Sequence, residues 1–422
     1  MAIISTLRRA WRIPDLRKRI LFTLYMLLVF RLGTHVPVPG IEPAVLEELF
    51  ASGSLFGLLD MFAGGALSSF SIFAMSITPY INASIIMQLL TVVIPKLEQW
   101  QKEGEEGRRK MTQWIRYMTL VLALIQASGM SFYMRGQGAL ARGDAFGLLS
   151  VIITITAGTV FLMWLGEQIT ESGIGNGISI LIFSGIVSRV PSGVVGLFAY
   201  LTEGTVSLIN ILILLALGLG VIAAVVFVQE GRRRIPVQYS KRVVGRKMYG
   251  GQTTHIPLQL NQAGVIPVIF ASSVLAFPPT IAQFIAHPWA QSLSRTLDYG
   301  SSLHTALYFG MIVFFTYFYT AVTFNPHDVA NNIRKYGGFI PGRRPGRATA
   351  EYLDRVLVRI TLPGAIFLGT VAVLPNFFEG ITGVPGIQFG GTALLITVGV
   401  ALETMKQIEA QLMMRQYEGF MR

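Results

Sequence analysis

The chain has 422 residues, 52% of them hydrophobic and 13% charged, with a mean hydropathy of +0.57 and a formal net charge of +12. Soluble domains carry nearer a quarter charged residues, so this composition excludes a soluble enzyme or binding module and points to a polytopic membrane protein. Cysteine is absent, which removes disulfides, thiol catalysis and thiolate metal sites together.

Arg8, Arg9, Arg12, Arg17, Lys18 and Arg19 precede an apolar run from Ile20 to Val36. No small-residue cleavage site follows, so the run reads as a retained first span. Arg31 falls in its outer half, where a long side chain snorkels toward the interface. Pro37-Val38-Pro39-Gly40 ends it, and no Lys or Arg then occurs until Lys96. Within that stretch Leu55 to Phe70 is apolar and helix-like, weakened by Gly64-Gly65 and too short to cross a bilayer. Ser71 to Ile94 is long enough to be span two, yet carries Pro79, Asn82 and Ser84 inside it. A half-helix leading into a Pro-marked, partly polar span predicts broken-helix architecture, tolerated only against protein or a water-filled cavity.

Lys96 to Lys110 is a basic connector, followed by span three (Thr112 to Tyr133) and span four (Leu148 to Leu165). Glu167 to Gly177 is a tight turn in which Asn176 is placed to cap span five, Ile178 to Val195. Span six is Val206 to Val228. The polar insert after it, Gln229 to Asn261, alternates like strand around Ile235-Pro236-Val237 and Val243 to Tyr249, and carries Arg232, Arg233, Arg234, Lys241, Arg242, Arg246 and Lys247. Span seven is Gly264 to Ile285 and span eight Leu303 to Phe324. A second insert, Asn325 to Asp354, holds Arg334, Lys335, Arg343, Arg344 and Arg347 around Gly342 and Pro345-Gly346. Spans nine (Val356 to Leu374) and ten (Gly391 to Leu412) complete the set.

The fold expected is therefore an all-α polytopic membrane protein with ten transmembrane helices. The N-terminal tail and the connectors after spans two, six and eight hold the basic clusters, which puts both termini in the cytoplasm. Pro79-Tyr80-Ile81-Asn82-Ala83-Ser84 in span two is echoed by Pro267-Val268-Ile269-Phe270-Ala271-Ser272 in span seven. Each is the second span of a five-span half, residues 1–195 and 196–422. An odd number of spans per half makes the halves inverted, an arrangement that places a pathway at their interface.

No Walker A loop, His-Glu-x-x-His helix or Gly-x-Ser-x-Gly elbow is present, and the histidines have no ligand spacing. No cofactor, metal site or catalytic residue is expected. A secondary transporter with inverted repeats stays open at this point, although a proton-coupled carrier keeps ionisable relays at the midplane and these span centres hold almost none.

Several segments resemble one family. Phe62-Ala-Gly-Gly-Ala-Leu-Ser, Ile77-Thr-Pro-Tyr-Ile-Asn-Ala-Ser, Met163-Trp-Leu-Gly-Glu-Gln-Ile-Thr-Glu, Gly173-Ile-Gly-Asn-Gly-Ile-Ser and Asn261-Gln-Ala-Gly-Val-Ile-Pro are similar to bacterial SecY, the pore subunits of the Sec protein-translocation channel. The resemblance runs from span one through Tyr417. It implies a passive channel in the bacterial inner membrane that passes secretory polypeptides and releases membrane helices into lipid. The partners it implies are SecE, SecG, the motor SecA, ribosomes with a possible rRNA contact, and signal sequences.

The resemblance also assigns roles. Residues 55–70 correspond to a plug half-helix, with Leu55, Phe56, Leu59, Met61, Phe62, Gly64, Gly65 and Leu67 in it. Ile77, Ile81, Ile178, Ile182, Ile269 and Ile396 fall on the pore-ring positions. Spans two and seven, with three and eight, correspond to a lateral gate that includes Pro79, Asn82, Ser84, Gln88, Ser272 and Ser273. The two inserts correspond to loops that dock the motor or ribosome through Arg232, Arg233, Arg234, Arg246, Lys247, Arg343, Arg344 and Arg347. Physically, a ring of branched apolar side chains blocks ions by dewetting yet yields to a passing chain. Taken singly, each isoleucine also reads as ordinary packing, and each basic loop as a topology signal.

Overall fold

A computed structural model describes residues 2–42, 45, 64–140, 143–239, 242–244, 247–249, 253–283, 292, 296–297, 301–378, 382 and 391–420. Its helices are α1 (Ala2–Arg12), α2 (Pro14–Gly33), α3 (Thr78–Val93), α4 (Pro95–Lys102), α5 (Glu105–Gly136), α6 (Ala145–Ser172), α7 (Gly177–Val187), α8 (Val190–Thr202) and α9 (Leu208–Glu230). Strands β1 (Arg232–Tyr239), β2 (Arg242–Val244), β3 (Lys247–Tyr249) and β4 (Thr253–Gln259) come next in the chain. Then come α10 (Ile266–Gln283), α11 (Ser302–Thr323), α12 (Pro326–Lys335), β5 (Gly338–Phe339), α13 (Arg347–Val373) and α14 (Gly391–Phe420).

Among the described residues six helical segments are long and apolar enough to cross a membrane, or seven if α3 and α4, bent by 103°, count as one broken span. The physical sign of lipid is clearest on α9. It is apolar on every face, and Ile209, Leu212, Leu215, Leu219 and Phe227 stand exposed along it. A helix of that kind is stable only in hydrocarbon or a larger core.

By its internal contacts the chain divides into two compact units: residues 1–208, 272–304 and 400–422, and residues 209–271 and 305–399. Within the first, the sequence reading needs one correction. Ser71 to Ile94 is not one helix. Helix α3 begins only at Thr78, and residues 64–77 form a buried, irregular stretch. Phe70 (φ 41°) and Ser76 (φ 51°) adopt left-handed backbone that no helix continues through. Pro79 therefore sits in the first turn of α3, where its missing N–H is harmless, rather than in mid-span.

That irregular stretch is held by bonds to the chain after α2 and by bonds of its own. Val38 N–H donates to Phe70 O at 3.0 Å and Ile72 N–H to Val36 O at 3.0 Å, while Ser71 N–H reaches Ala66 O at 2.8 Å. The Phe73 ring lies between Phe30 of α2 and Phe161 of α6, with centroids 6.1 and 6.0 Å away. Gly33 lets Phe73 approach α2, and Gly158 lets the Ile72 carbonyl approach α6, for a Cβ at either would collide. At the turn before α7, Asn176 Oδ1 accepts from Ile178 N–H at 3.1 Å and Ser179 N–H at 3.3 Å, the cap read from the sequence.

In the second unit the two polar inserts form one module. Strand β1 pairs antiparallel with β4 of its own insert along Arg232↔Gln259 to Gln238↔Thr253, and on its other edge with β5 of the second insert at Gln238↔Phe339. The three-stranded order is β4-β1-β5. Ile235 and Val237, alternating with exposed Arg234, Pro236 and Gln238, pack on Leu258, Ile333, Ile340, Leu353, Val356 and Ile360. The alternation was legible. The pairing between inserts was not.

Gly158→Ala places its methyl against the Ile72 carbonyl and is expected to destabilise by about 1–3 kcal/mol, as overpacking does. Gly218→Ala, in open space on α9, is expected to be neutral or slightly stabilising. Thermal unfolding of the two variants in detergent, read by intrinsic fluorescence, separates them. Equal melting temperatures would contradict the close approach of residue 72 to α6.

Candidate functional site

The irregular stretch and the start of α3 border a cavity of about 60 Å³ inside the first unit. Leu67, Ala74 and Met75 form one side, Thr78 and Asn82 of α3 a second, Gln126 and Met130 of α5 a third, and Ser273, Ala276 and Phe277 of α10 the last. A mostly apolar hollow with two amides and two hydroxyls on its wall lies where spans two, three and seven were expected to meet. Of the gate residues named from the sequence, Asn82 and Ser273 line it. Pro79, Ser84, Gln88 and Ser272 do not. Gln88 Oε1 is buried without a hydrogen-bond partner among the described residues, a costly situation for an amide in an apolar span. Thr78, Gln126 and Met130 were missed; the one available signal was the lone amide of Gln126 inside span three.

The six ring isoleucines are divided between the units. Ile77, Ile81, Ile178 and Ile182 lie in the first, Ile269 and Ile396 in the second. Ile77, Ile81, Ile182, Ile269 and Ile396 are buried. Ile77 is the N-cap residue of α3 and Ile81 lies one turn on, its N–H donating to Ile77 O at 3.1 Å. Ile178 is half-buried and its side chain leans on Gly166 of α6, which has no Cβ to resist it. Ile178 thus has a packing role within its own unit.

Of the plug residues, Gly64, Gly65 and Leu67 are described. Gly64 and Gly65 take φ of 66° and 91°, conformations glycine adopts without strain. Leu55, Phe56, Leu59, Met61 and Phe62 lie outside the described residues.

Arg232, Arg233 and Arg234 are exposed along β1, as are Arg343, Arg344 and Arg347 in and after the turn that follows β5. That turn is braced. Arg343 N–H donates to Ile340 O at 3.0 Å, Thr349 Oγ1 donates to Arg344 O at 2.9 Å, and the Arg343 guanidinium lies 5.1 Å from the Tyr352 ring centroid. Arg347 is engaged with Glu351 at 3.0 Å. Arg344 is presented to solvent on a fixed backbone with no ion pair among the described residues. Arg246 lies outside them, and Lys247 is described only as backbone in β3.

Two arginines in the spans find partners that sequence reasoning did not assign. Arg116 of α5 makes a forked pair with Glu167 of α6, Nε to Oε1 at 2.9 Å and Nη2 to Oε2 at 2.8 Å. Glu167 is only 13% exposed, so this carboxylate depends on that fork for its charge compensation. Arg31 does not snorkel as expected. It turns inward to the Gly64 carbonyl at 2.9 Å and Ser188 Oγ at 3.3 Å.

The SecY family pattern matches residues 71–405. The protein translocase subunit SecY of Halalkalibacterium halodurans is 50% identical over 431 residues, covering 100% of both chains. The fold is similar to that of the SecY protein whose plug domain stabilises the closed state of the translocation channel and maintains a membrane seal (TM-score 0.65, 19% identity, 93% of this chain and 92% of that one). It is also similar to Sec61 in the canine ribosome–channel complex from the endoplasmic reticulum (TM-score 0.62, 17% identity, 93% and 92%).

Replacing Arg116 by Gln, Glu167 by Gln, and both together closes a thermodynamic cycle. A coupling of about 1 kcal/mol is expected, because Arg116 is 45% exposed and solvent screens it. Additive losses in thermal unfolding would show that the fork contributes nothing.

Proposed function

The chain belongs to the SecY family, and from that membership we propose how this protein-conducting channel subunit, a multi-pass membrane protein with no enzymatic step of its own, seals and opens. The spans form ten transmembrane helices in two inverted five-helix halves, residues 1–195 and 196–422. In support, the echoed motifs occupy matching places, with Pro79 and Pro267 each the second residue of its helix. Both termini lie in the cytoplasm of a bacterial inner-membrane protein, as the basic connectors require.

The observation that carries the mechanism is the buried irregular backbone of residues 64–77. Such backbone is stable at membrane depth only beside protein or a cavity, and here it ends on a polar-edged hollow. Residues 55–70 act as the plug. Ile77, Ile81, Ile178, Ile182, Ile269 and Ile396 close one ring by dewetting. Asn82 and Ser273 line the lateral gate through which signal sequences and membrane helices pass to lipid. The inserts, joined through β1, dock SecA or the ribosome by charge, against acidic surfaces or rRNA phosphates, while SecE and SecG complete the complex. The ribosome-bound Sec61 relative supports the ribosome as a partner.

Deleting Phe56 to Ser68 is expected to raise ion conductance of the reconstituted complex in planar bilayers without loss of complex. In the same recordings Ile81→Asn and Ile269→Asn should leak, whereas Ile209→Asn, on the exposed face of α9, should not. Unchanged conductance in the deletion removes the plug, and equal leaks from ring and control positions remove the ring.

Arg344→Glu reverses the unpaired charge on the braced turn. SecA-driven export into vesicles is expected to fall at least tenfold at unchanged channel abundance, and normal ATP-driven export would refute the docking role of this residue.

A further inference from the structure

Arg31 stands half-buried in the last turn of α2, where a guanidinium partly withdrawn from water needs compensating contacts. No carboxylate pairs with it among the described residues. Its Nη1 instead donates to a single backbone carbonyl, Gly64 O, at 2.9 Å, with Ser188 Oγ at 3.3 Å and Thr34 Oγ1 at 3.5 Å beside it. Ser188 Oγ in turn donates to Gly185 O at 2.7 Å. Gly64 and Gly185 touch backbone to backbone, since a Cβ on Gly64 would stand 2.8 Å from Gly185 Cα. Helices α2 and α7 therefore meet at this one residue of the plug segment.

The chain beyond Gly64 is fixed by its own bonds, whereas Gly64 itself is held by Arg31. Downstream, Ser69 Oγ donates to Thr34 O at 3.2 Å, and Phe70 and Ile72 are bonded to Val38 and Val36. Gly64 and Gly65 both have positive φ, so the chain turns there without strain. A charge-assisted bond at such a turn biases the position of the segment attached to it, because losing that bond leaves a half-buried cation without its best acceptor.

We infer that Arg31 is the positioning residue that clasps the plug at its Gly64 turn, and that release of the Gly64 carbonyl from Arg31 accompanies channel opening. This rests on residues 55–70 being the plug. The long side chain suits a clasp, since its Nη1 is held closest by the Gly64 carbonyl and only loosely by the Ser188 and Thr34 hydroxyls.

The test is single-channel conductance of the full complex in planar bilayers for wild type, Arg31→Gln, Arg31→Lys, Ser188→Ala, the Phe56 to Ser68 deletion, and Arg31→Gln within that deletion. Loss of one charge-assisted bond is expected to raise the resting leak of Arg31→Gln about tenfold. Arg31→Lys, which keeps a charged donor, should leak less than Arg31→Gln, and Ser188→Ala should leak slightly. Within the deletion Arg31→Gln should add nothing, an epistasis that general destabilisation would not produce. If the deletion leaks and neither Arg31→Gln nor Ser188→Ala does, the clasp is refuted while the plug stands. If the deletion does not leak, the plug itself fails. An additional leak from Arg31→Gln within the deletion also overturns the clasp, because Arg31 would then act on something else.

Discussion

Buried backbone amides and carbonyls have no water to turn to, and the mostly buried, non-helical residues 64–77 depend on that constraint. A helix would have satisfied them internally. These residues instead borrow partners from the chain just after α2, Val36, Val38 and the Thr34 carbonyl, and use the Ser71 hydroxyl for Phe73 N–H. Borrowing fixes the neighbours as well. Gly33 and Gly158 must stay bare so that Phe73 and the Ile72 carbonyl fit, and three aromatic rings from separate segments stack to fill the space around them. The irregular path is thus the template on which α2, α3 and α6 are arranged.

Much of this architecture could be read from residue order alone, for a simple reason. A helix facing lipid needs an unbroken apolar run, so α5, α6, α9, α11 and α13 announced themselves by composition. The start of α3 did not. Ser71 to Thr78 is apolar enough for helix, and only the left-handed backbone of Phe70 and Ser76 ends it, a choice forced by tertiary bonds. Pro79 did hold the signal, since proline favours a first helical turn, but within a long apolar run the same residue reads equally as a mid-span break. Strand β5 is two residues long and finds its partner far along the chain, so no local pattern predicts it. The roles of the isoleucines came from resemblance, and the lean of Ile178 on Gly166 is visible only in the fold.

The arginines sort by surroundings rather than by position in the chain. On β1 and the turn after β5 they are exposed and solvated, suited to long-range attraction that salt weakens. Arg116 is exposed but forks onto a mostly buried carboxylate, which ties α5 to α6. Arg31, with backbone and hydroxyl oxygens for company, is the only one of these whose charge falls on a segment that is itself irregular. Counting basic residues toward topology, as the sequence invites, treats all of them alike.

The sheet that joins the inserts has a mechanical meaning. Strand β1 leaves α9 after Glu230, and the second insert runs through β5 into α13 at Arg347. Hydrogen bonds from both edges of β1 make these two helices share a stiff bracket at one end, backed by a core that includes Leu353, Val356 and Ile360 of α13 itself. A force applied to either insert is distributed across the bracket, so the roots of α9 and α13 travel together rather than sliding past one another.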